Sequence, residues 1–159
     1  MNKILIFTSC NQEYAIDIES VREIRNWTQA TPIPSSPFYI EGIINIRGTV
    51  IPLVDFCKKI NKNNKEYDKN AIIIVDYNNK KISFSVNNVS DIIELNNYDL
   101  KNIPDIGNCD IYNFIDGVIS VNSRVIFILN IKNLIKECLN WLNKMKKYLG
   151  DLWWLFLVS

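Results

Sequence analysis

Apolar and polar residues alternate in short runs along most of the chain, the period of half-buried β-strands. Lys3–Ser9 and residues 12–18 read as two strands joined across a Cys10-Asn11 turn, with Ala15, Ile16 and Ile18 set among Asp17 and Glu19. SVREI continues the pattern over residues 20–24, with Val21 and Ile24 turned inward and Arg22 and Glu23 elsewhere. Residues 43–46 and 49–54 flank Arg47-Gly48, a tight hairpin in which glycine supplies a positive φ. Three more strands follow at Ala71–Tyr77, 81–86 and 89–95, the first two joined at Asn78-Asn79. A looser stretch over 96–113 leads to a last hairpin, 114–121 and 125–131, across residues 122–124.

The connections carry their own signals. Pro32 and Pro34 hold an extended segment, Ser36-Pro37 has the form of a helix start, and Gly42 closes that single turn. Asp55 opens a short helix, DFCKKI. Residues 61–70 are polar throughout and read as an exposed loop and the boundary between two subdomains. From Ile131 the period lengthens to that of a helix, and Ile131, Leu134, Ile135, Cys138, Leu142, Met145 and Leu149 form one apolar stripe. Many short strands closed by one helix predict a mainly β protein built of small barrels rather than a βαβ sheet.

Composition narrows the function classes. In 159 residues, 48% apolar, there is room for one domain or two small subdomains sharing a core. A net charge of +1 argues against a protein that tracks nucleic-acid phosphates. The chain has no histidine, which removes the commonest general base, the commonest zinc ligand and the Ser-His and Cys-His pairs. Phosphate-cradling and nucleophile-elbow motifs are absent as well, so no enzyme and no cofactor is expected. Cys10, Cys57, Cys109 and Cys138 show no C-x-x-C spacing and read as reduced, mostly buried thiols without a metal. The N-terminal apolar run is too short for a secretory signal.

The informative motif is long. EYAIDIESVREI (13–24) is followed at fixed distance by TPIPSSPFYIEGIINIRGTVIPLVDF (31–56), with SVNNVSDIIEL and FIDGVISVNSRVIFILNIKNLI further on. This arrangement resembles the CheW family over nearly the whole chain. The resemblance implies two intertwined five-stranded SH3-like barrels with a short connector helix and a C-terminal helix. Subdomain 1 would span roughly 14–66, and subdomain 2 roughly 1–13 plus 67–150. It also implies a non-catalytic cytoplasmic adaptor that couples the cytoplasmic tips of chemoreceptors to the regulatory domain of a CheA-type histidine kinase. Such an adaptor meets the membrane only through the receptors, in signalling arrays.

Carried over onto this sequence, the resemblance marks Glu23 of VREI and Arg47 of NIRG as partner-binding residues. A guanidinium at a hairpin tip suits a carboxylate bidentately, so the two form either a docking surface or an ordinary surface ion pair. Gly42 has a backbone reason first and a surface role second. Val21, Ile24 and Val89 either line an apolar groove for a receptor helix or belong to the core. Asn130 and Asn87-Asn88 stand where the family often has acidic residues, weakening charge interactions there. The apolar tail, residues 151–159, either lies on an anionic surface or a partner, helped by Lys144, Lys146 and Lys147, or covers a barrel end. The alternative from another class is a small barrel binding nucleic acid or a small ligand.

Overall fold

A computed structural model describes residues 2–103 and 110–149, the backbone alone at 110 and over 145–149. The strands are β1 (Lys3–Ser9), β2 (Gln12–Asp17), β3 (Val21–Asn26), β4 (Ile40–Ile46), β5 (Thr49–Asp55), β6 (Ala71–Tyr77), β7 (Lys80–Val86), β8 (Asn88–Glu94), β9 (Ile115–Val121) and β10 (Arg124–Leu129). Helix α1 (Phe56–Asn61) follows β5, and α2 (Ile131–Leu149) follows β10. Two five-stranded sheets result, ordered β8-β1-β2-β10-β9 and β3-β6-β7-β5-β4.

Each sheet is mostly antiparallel but contains one parallel pair, β2 with β10 and β5 with β7. The sheets therefore divide the chain after residue 20 and after residue 86. The β1–β2 hairpin crosses to the strands of the C-terminal half, and β6–β7 returns to those of the N-terminal half. The ladders end at β3 and β4 in one sheet and at β8 and β9 in the other. Among the described residues no strand ladder joins those edges.

The two sheets are copies of one plan. Residues 40–56 align with 115–131 at constant offset and without a gap, and V-R-E-I at 21–24 recurs as V-S-D-I at 89–92. The copying extends to bulges and turns. Val21 pairs with Val75 and Glu23 with Ile74, leaving Arg22 unpaired. Likewise Val89 pairs with Phe7 and Asp91 with Ile6, leaving Ser90 unpaired. All four tight hairpins turn on two residues of positive φ: Cys10-Asn11, Arg47-Gly48, Asn78-Asn79 and Asn122-Ser123. That is the turn whose twist matches the strands it joins. Since Cys, Asn and Ser adopt it too, the left-handed φ of Arg47 is a demand of the turn and no mark of function.

The main core lies between the sheets, where Phe7 and Tyr14 of one meet Phe84 of the other around Phe56 of α1. Ring centroids there are 5.1 Å (Phe7–Phe56), 4.9 Å (Tyr14–Phe56) and 6.3 Å (Phe56–Phe84) apart, in edge-to-face packing. Leu134, Ile135 and Cys138 of α2 close this core, and burial pushes the Cys138 thiol up to about 12. Each sheet keeps a smaller apolar cluster on its other face, Ile4, Ile6 and Ile126 in one, Ile44, Leu53 and Ile74 in the other.

Buried Lys59 of α1 reaches Glu137 of α2 at 2.7 Å and sits 4.4 Å from the ring centre of Tyr39, so the two helices are locked together.

The segment after Pro32 forms turns at residues 34–35 and 38–39 and no helix. Gly42 does not close a turn. It lies in a bulge of β4 with φ +145°, where the Thr31 backbone crosses and exchanges two 2.9 Å hydrogen bonds with Ile43. A Cβ there would come within 2.5 Å of the Thr31 carbonyl carbon.

Asp55 caps α1 by accepting from the Lys58 amide at 3.1 Å, and Asn130 caps α2 by accepting from Asn133 at 3.0 Å. The difference between them has a local cause. Asp55 sits near Glu41 with Lys69 between the two carboxylates, at 3.5 Å and 3.1 Å. In the second copy Asp116 takes the place of Glu41, and Asn130 donates to it directly at 3.0 Å. An amide there removes the repulsion, so it is more than a lost charge. Asn130→Asp is expected to lower Tm by about 2–4 °C, the drop growing at low salt, as a thermal melt at two ionic strengths would show.

Cys10 and Cys57 are disulfide-bonded, their Cα atoms 5.4 Å apart, which corrects the expectation of reduced thiols at these two positions. Cys138 is free and buried. Cys109 and the 151–159 tail fall outside the described residues. Among the described residues no helix is long and apolar enough to cross a membrane.

A two-sided edge strand as candidate functional site

The candidate site is built on β3. Without a bulge, Val21 and Glu23 would share one face and Ile24 would take the other. The unpaired Arg22 shifts the count. Val21 and Ile24 now face the same way as Val75 and Ile73, toward the main core, while Glu23 and Arg25 face with Ile74 and Ile72. V-x-E-I thus puts its two apolar residues on one face and its carboxylate on the other.

On the charged face, Glu23 receives a two-pronged bond from Arg47, Nη1 to Oε1 at 3.2 Å and Nη2 to Oε2 at 2.7 Å. Arg25 adds a third contact to Oε1 at 3.1 Å. The hydrogen bond from Arg47 is the main cause holding the Glu23 carboxyl below its usual range; desolvation opposes it, and the charges of Arg47 and Arg25 reinforce it. The pair links edge strand β3 to the tip of the β4–β5 hairpin, across the edge that no ladder closes. Arg47 remains 73% exposed. Arg22 and Lys81 line the same shallow cleft, over Ile46, Ile51 and Ile74. The rim is therefore rich in hydrogen-bond donors and suited to carboxylates on a partner.

On the apolar face, Val21 is half-buried and packs on the main core. Ile24 shares that face but is not buried as expected: it is 42% exposed, on an edge strand with no neighbouring strand beyond it among the described residues. Val89 is half-buried against the main core from β8, the edge strand of the other sheet. Ile92, one bulge further on, shares its face and is 51% exposed.

The fold thus brings Glu23 and Arg47 into direct contact, with Val21 and Ile24 on the reverse of the same strand. It sets Val89 on the equivalent strand and Gly42 beneath Thr31. Sequence reading missed Ile92 and Asp91, although the repeat of V-R-E-I as V-S-D-I is a visible signal for both. Among the described residues no cluster of His, Cys, Asp or Glu is arranged to hold a metal.

The family model for the CheW-like domain matches residues 3–138. A chemotaxis protein CheW of Rhizobium meliloti is 33% identical over 133 residues, 83% of this chain and 86% of that protein. A chemotaxis protein CheW of Bacillus subtilis is 29% identical, covering 80% of this chain and 83% of that protein. Among solved structures, the scaffolding protein TtCheW of Thermoanaerobacter tengcongensis superposes with a TM-score of 0.69 at 30% identity, over 82% of this chain and 84% of that one. The two-sheet β fold and these matches agree: the chain belongs to the CheW-like family of non-catalytic chemotaxis scaffolds.

Proposed function

We propose that the chain couples the cytoplasmic tips of chemoreceptors to the regulatory domain of a CheA-type histidine kinase, in the cytoplasm and at the membrane only through the receptors. Neither a cofactor nor nucleic acid takes part. The observation that carries this reading is the two-sided β3 edge. One face offers an exposed guanidinium already oriented by Glu23, and the other an apolar strip of Val21 and Ile24 at the margin of the main core. A helical receptor tip needs an apolar strip for its own apolar face, and an acidic partner surface needs fixed donors. Val89 and Ile92 supply the matching strip on β8.

We also assign each sheet to one subdomain, curled into a small SH3-like barrel. The inner cluster around Leu53 and the Glu23–Arg47 link across the β3/β4 edge support that assignment.

Arg47→Ala is expected to weaken capture of a receptor cytoplasmic fragment by roughly tenfold or more, with Tm shifted by no more than a few degrees. Glu23→Gln should weaken it in the same direction, because it frees the guanidinium from its fixed orientation. Equal binding by wild type and both variants, measured by titration at physiological salt, would remove the charged face from the proposal. Retention on single-stranded DNA that falls steeply with salt would favour the nucleic-acid barrel instead.

A further inference from the structure

The bond between Cys10 and Cys57 joins parts of the molecule that the backbone leaves far apart. Cys10 occupies the β1–β2 turn of one sheet. Cys57 lies in α1, which follows directly on β5 of the other sheet, 47 residues along the chain. It therefore spans the interface that the main core fills.

The two sulfurs differ in access. Cys57 is 4% exposed, with its sulfur 3.0 Å from the Ser9 hydroxyl, whereas Cys10 is half-buried and lines an open cleft with Lys65, Glu66 and Asp68. Cys10 is therefore the cysteine open to the cleft, and Cys57 the buried one.

We propose that Cys10 and Cys57 form a reversible redox staple between the two sheets, closed and opened by thiol–disulfide exchange with a low-molecular-weight disulfide. In the closing direction the Cys10 thiolate attacks one sulfur of the small disulfide. A mixed disulfide forms on Cys10 and one small thiolate leaves. The Cys57 thiolate then attacks the Cys10 sulfur and expels the second small thiolate. Two protein thiols are oxidised by two electrons and one small disulfide is reduced to two thiols, each leaving thiolate taking up a proton released by a cysteine. A small dithiol or excess monothiol reverses the sequence, entering at the accessible Cys10 sulfur. In the open state core packing and the Lys59–Glu137 link still hold the sheets together.

The full chain, reduced with dithiothreitol and then equilibrated with oxidised glutathione, tests this. Peptide mapping should show a Cys10–Cys57 peptide lacking two hydrogens. The oxidised chain should melt roughly 6–12 °C above the reduced one, the range for a bond that closes a loop of this length. Cys10→Asn should abolish that difference; asparagine holds the same left-handed position in the equivalent Asn78-Asn79 turn, so the hairpin is preserved.

A mixed disulfide or cross-link confined to Cys109 or Cys138 would overturn the proposal. So would a melting difference that persists in Cys10→Asn. Should that variant not fold, Cys57→Ser serves instead: its melting temperature must no longer respond to oxidised glutathione, and a retained response overturns the staple.

Discussion

Gly42→Ala is expected to lower Tm by roughly 6–12 °C, a loss of about 3 kcal/mol, with the m-value unchanged. Two costs combine. At φ +145° an L side chain is strained, and its Cβ would overlap the Thr31 carbonyl, a backbone group tied to Ile43 by paired hydrogen bonds. The strand cannot yield without opening the crossing that holds Ala30 buried in the inner cluster. Gly48→Ala is the control. It has φ +85° but nothing within 4 Å of the added methyl, so only the turn strain remains, about 1 kcal/mol and roughly 2–4 °C. Similar melts for the two variants would show that the Thr31 crossing gives way at little cost.

Lys69→Met is expected to cost about 2–3 kcal/mol, roughly 4–12 °C in Tm, at neutral pH. Lys69 is the cation shared by Glu41, Asp55 and Glu66, at 3.1, 3.5 and 3.9 Å. Asp55 is 3% exposed, and Glu41 also accepts from the Trp27 indole at 3.3 Å and from the Ser85 hydroxyl. Removing the ammonium leaves two sequestered carboxylates facing each other. Burial draws the Lys69 pKa down, but the three carboxylates outweigh it and hold the group above its usual value.

The pH dependence follows from Asp55. Burial raises its pKa despite the opposing Lys58 amide and Lys69 charge. A raised carboxyl pKa means the folded state binds the proton more tightly, so the stability it favours is present in acid and is lost as pH rises through that pKa. At neutral pH Lys69 offsets the cost of the charged form. The gap between wild type and Lys69→Met should therefore narrow as pH falls through the carboxylate range. A gap independent of pH in denaturant titrations would show that the lysine acts through packing on the Trp27 ring, whose centre lies 5.6 Å from its Nζ.

Much of the fold was written in local pattern. Alternation placed every strand to within a residue or so at most ends, and the apolar stripe from Ile131 located α2. Asp55 announced α1 by its cap. What was illegible depended on distance or on a one-residue shift. The parallel pairs β2–β10 and β5–β7 bring together strands separated by a long stretch of chain, and no local residue encodes which hairpin joins which sheet. The Cys10–Cys57 bond is invisible for the same reason.

Ile24 was misplaced because its strand lies at a sheet edge: it shares the core-facing side with Val21 yet stays exposed. The Val21 to Ile24 spacing is compatible with one face only if a residue between them goes unpaired. Gly42 looked like a turn residue because its reason, the crossing Thr31 backbone, lies in another segment. The candidate pair Glu23 and Arg47 came from family resemblance, and the chain's own physics adds why they meet: the bulge aims the carboxylate, and the hairpin tip delivers the guanidinium. Ile92 and Asp91 were legible all along in the repeated V-x-[ED]-I.

The central claim is that the two faces of β3 form a docking edge. The most direct measurement is quantitative capture of a chemoreceptor cytoplasmic tip and of a CheA-type regulatory domain by the wild-type chain and by Ile24→Asp. The latter puts a charge on an exposed position where the fold has little to lose. Wild type is expected to capture both partners, and Ile24→Asp to lose the receptor tip while melting within a few degrees of wild type. Capture of neither partner by wild type at low salt, or undiminished receptor binding by Ile24→Asp, would contradict it.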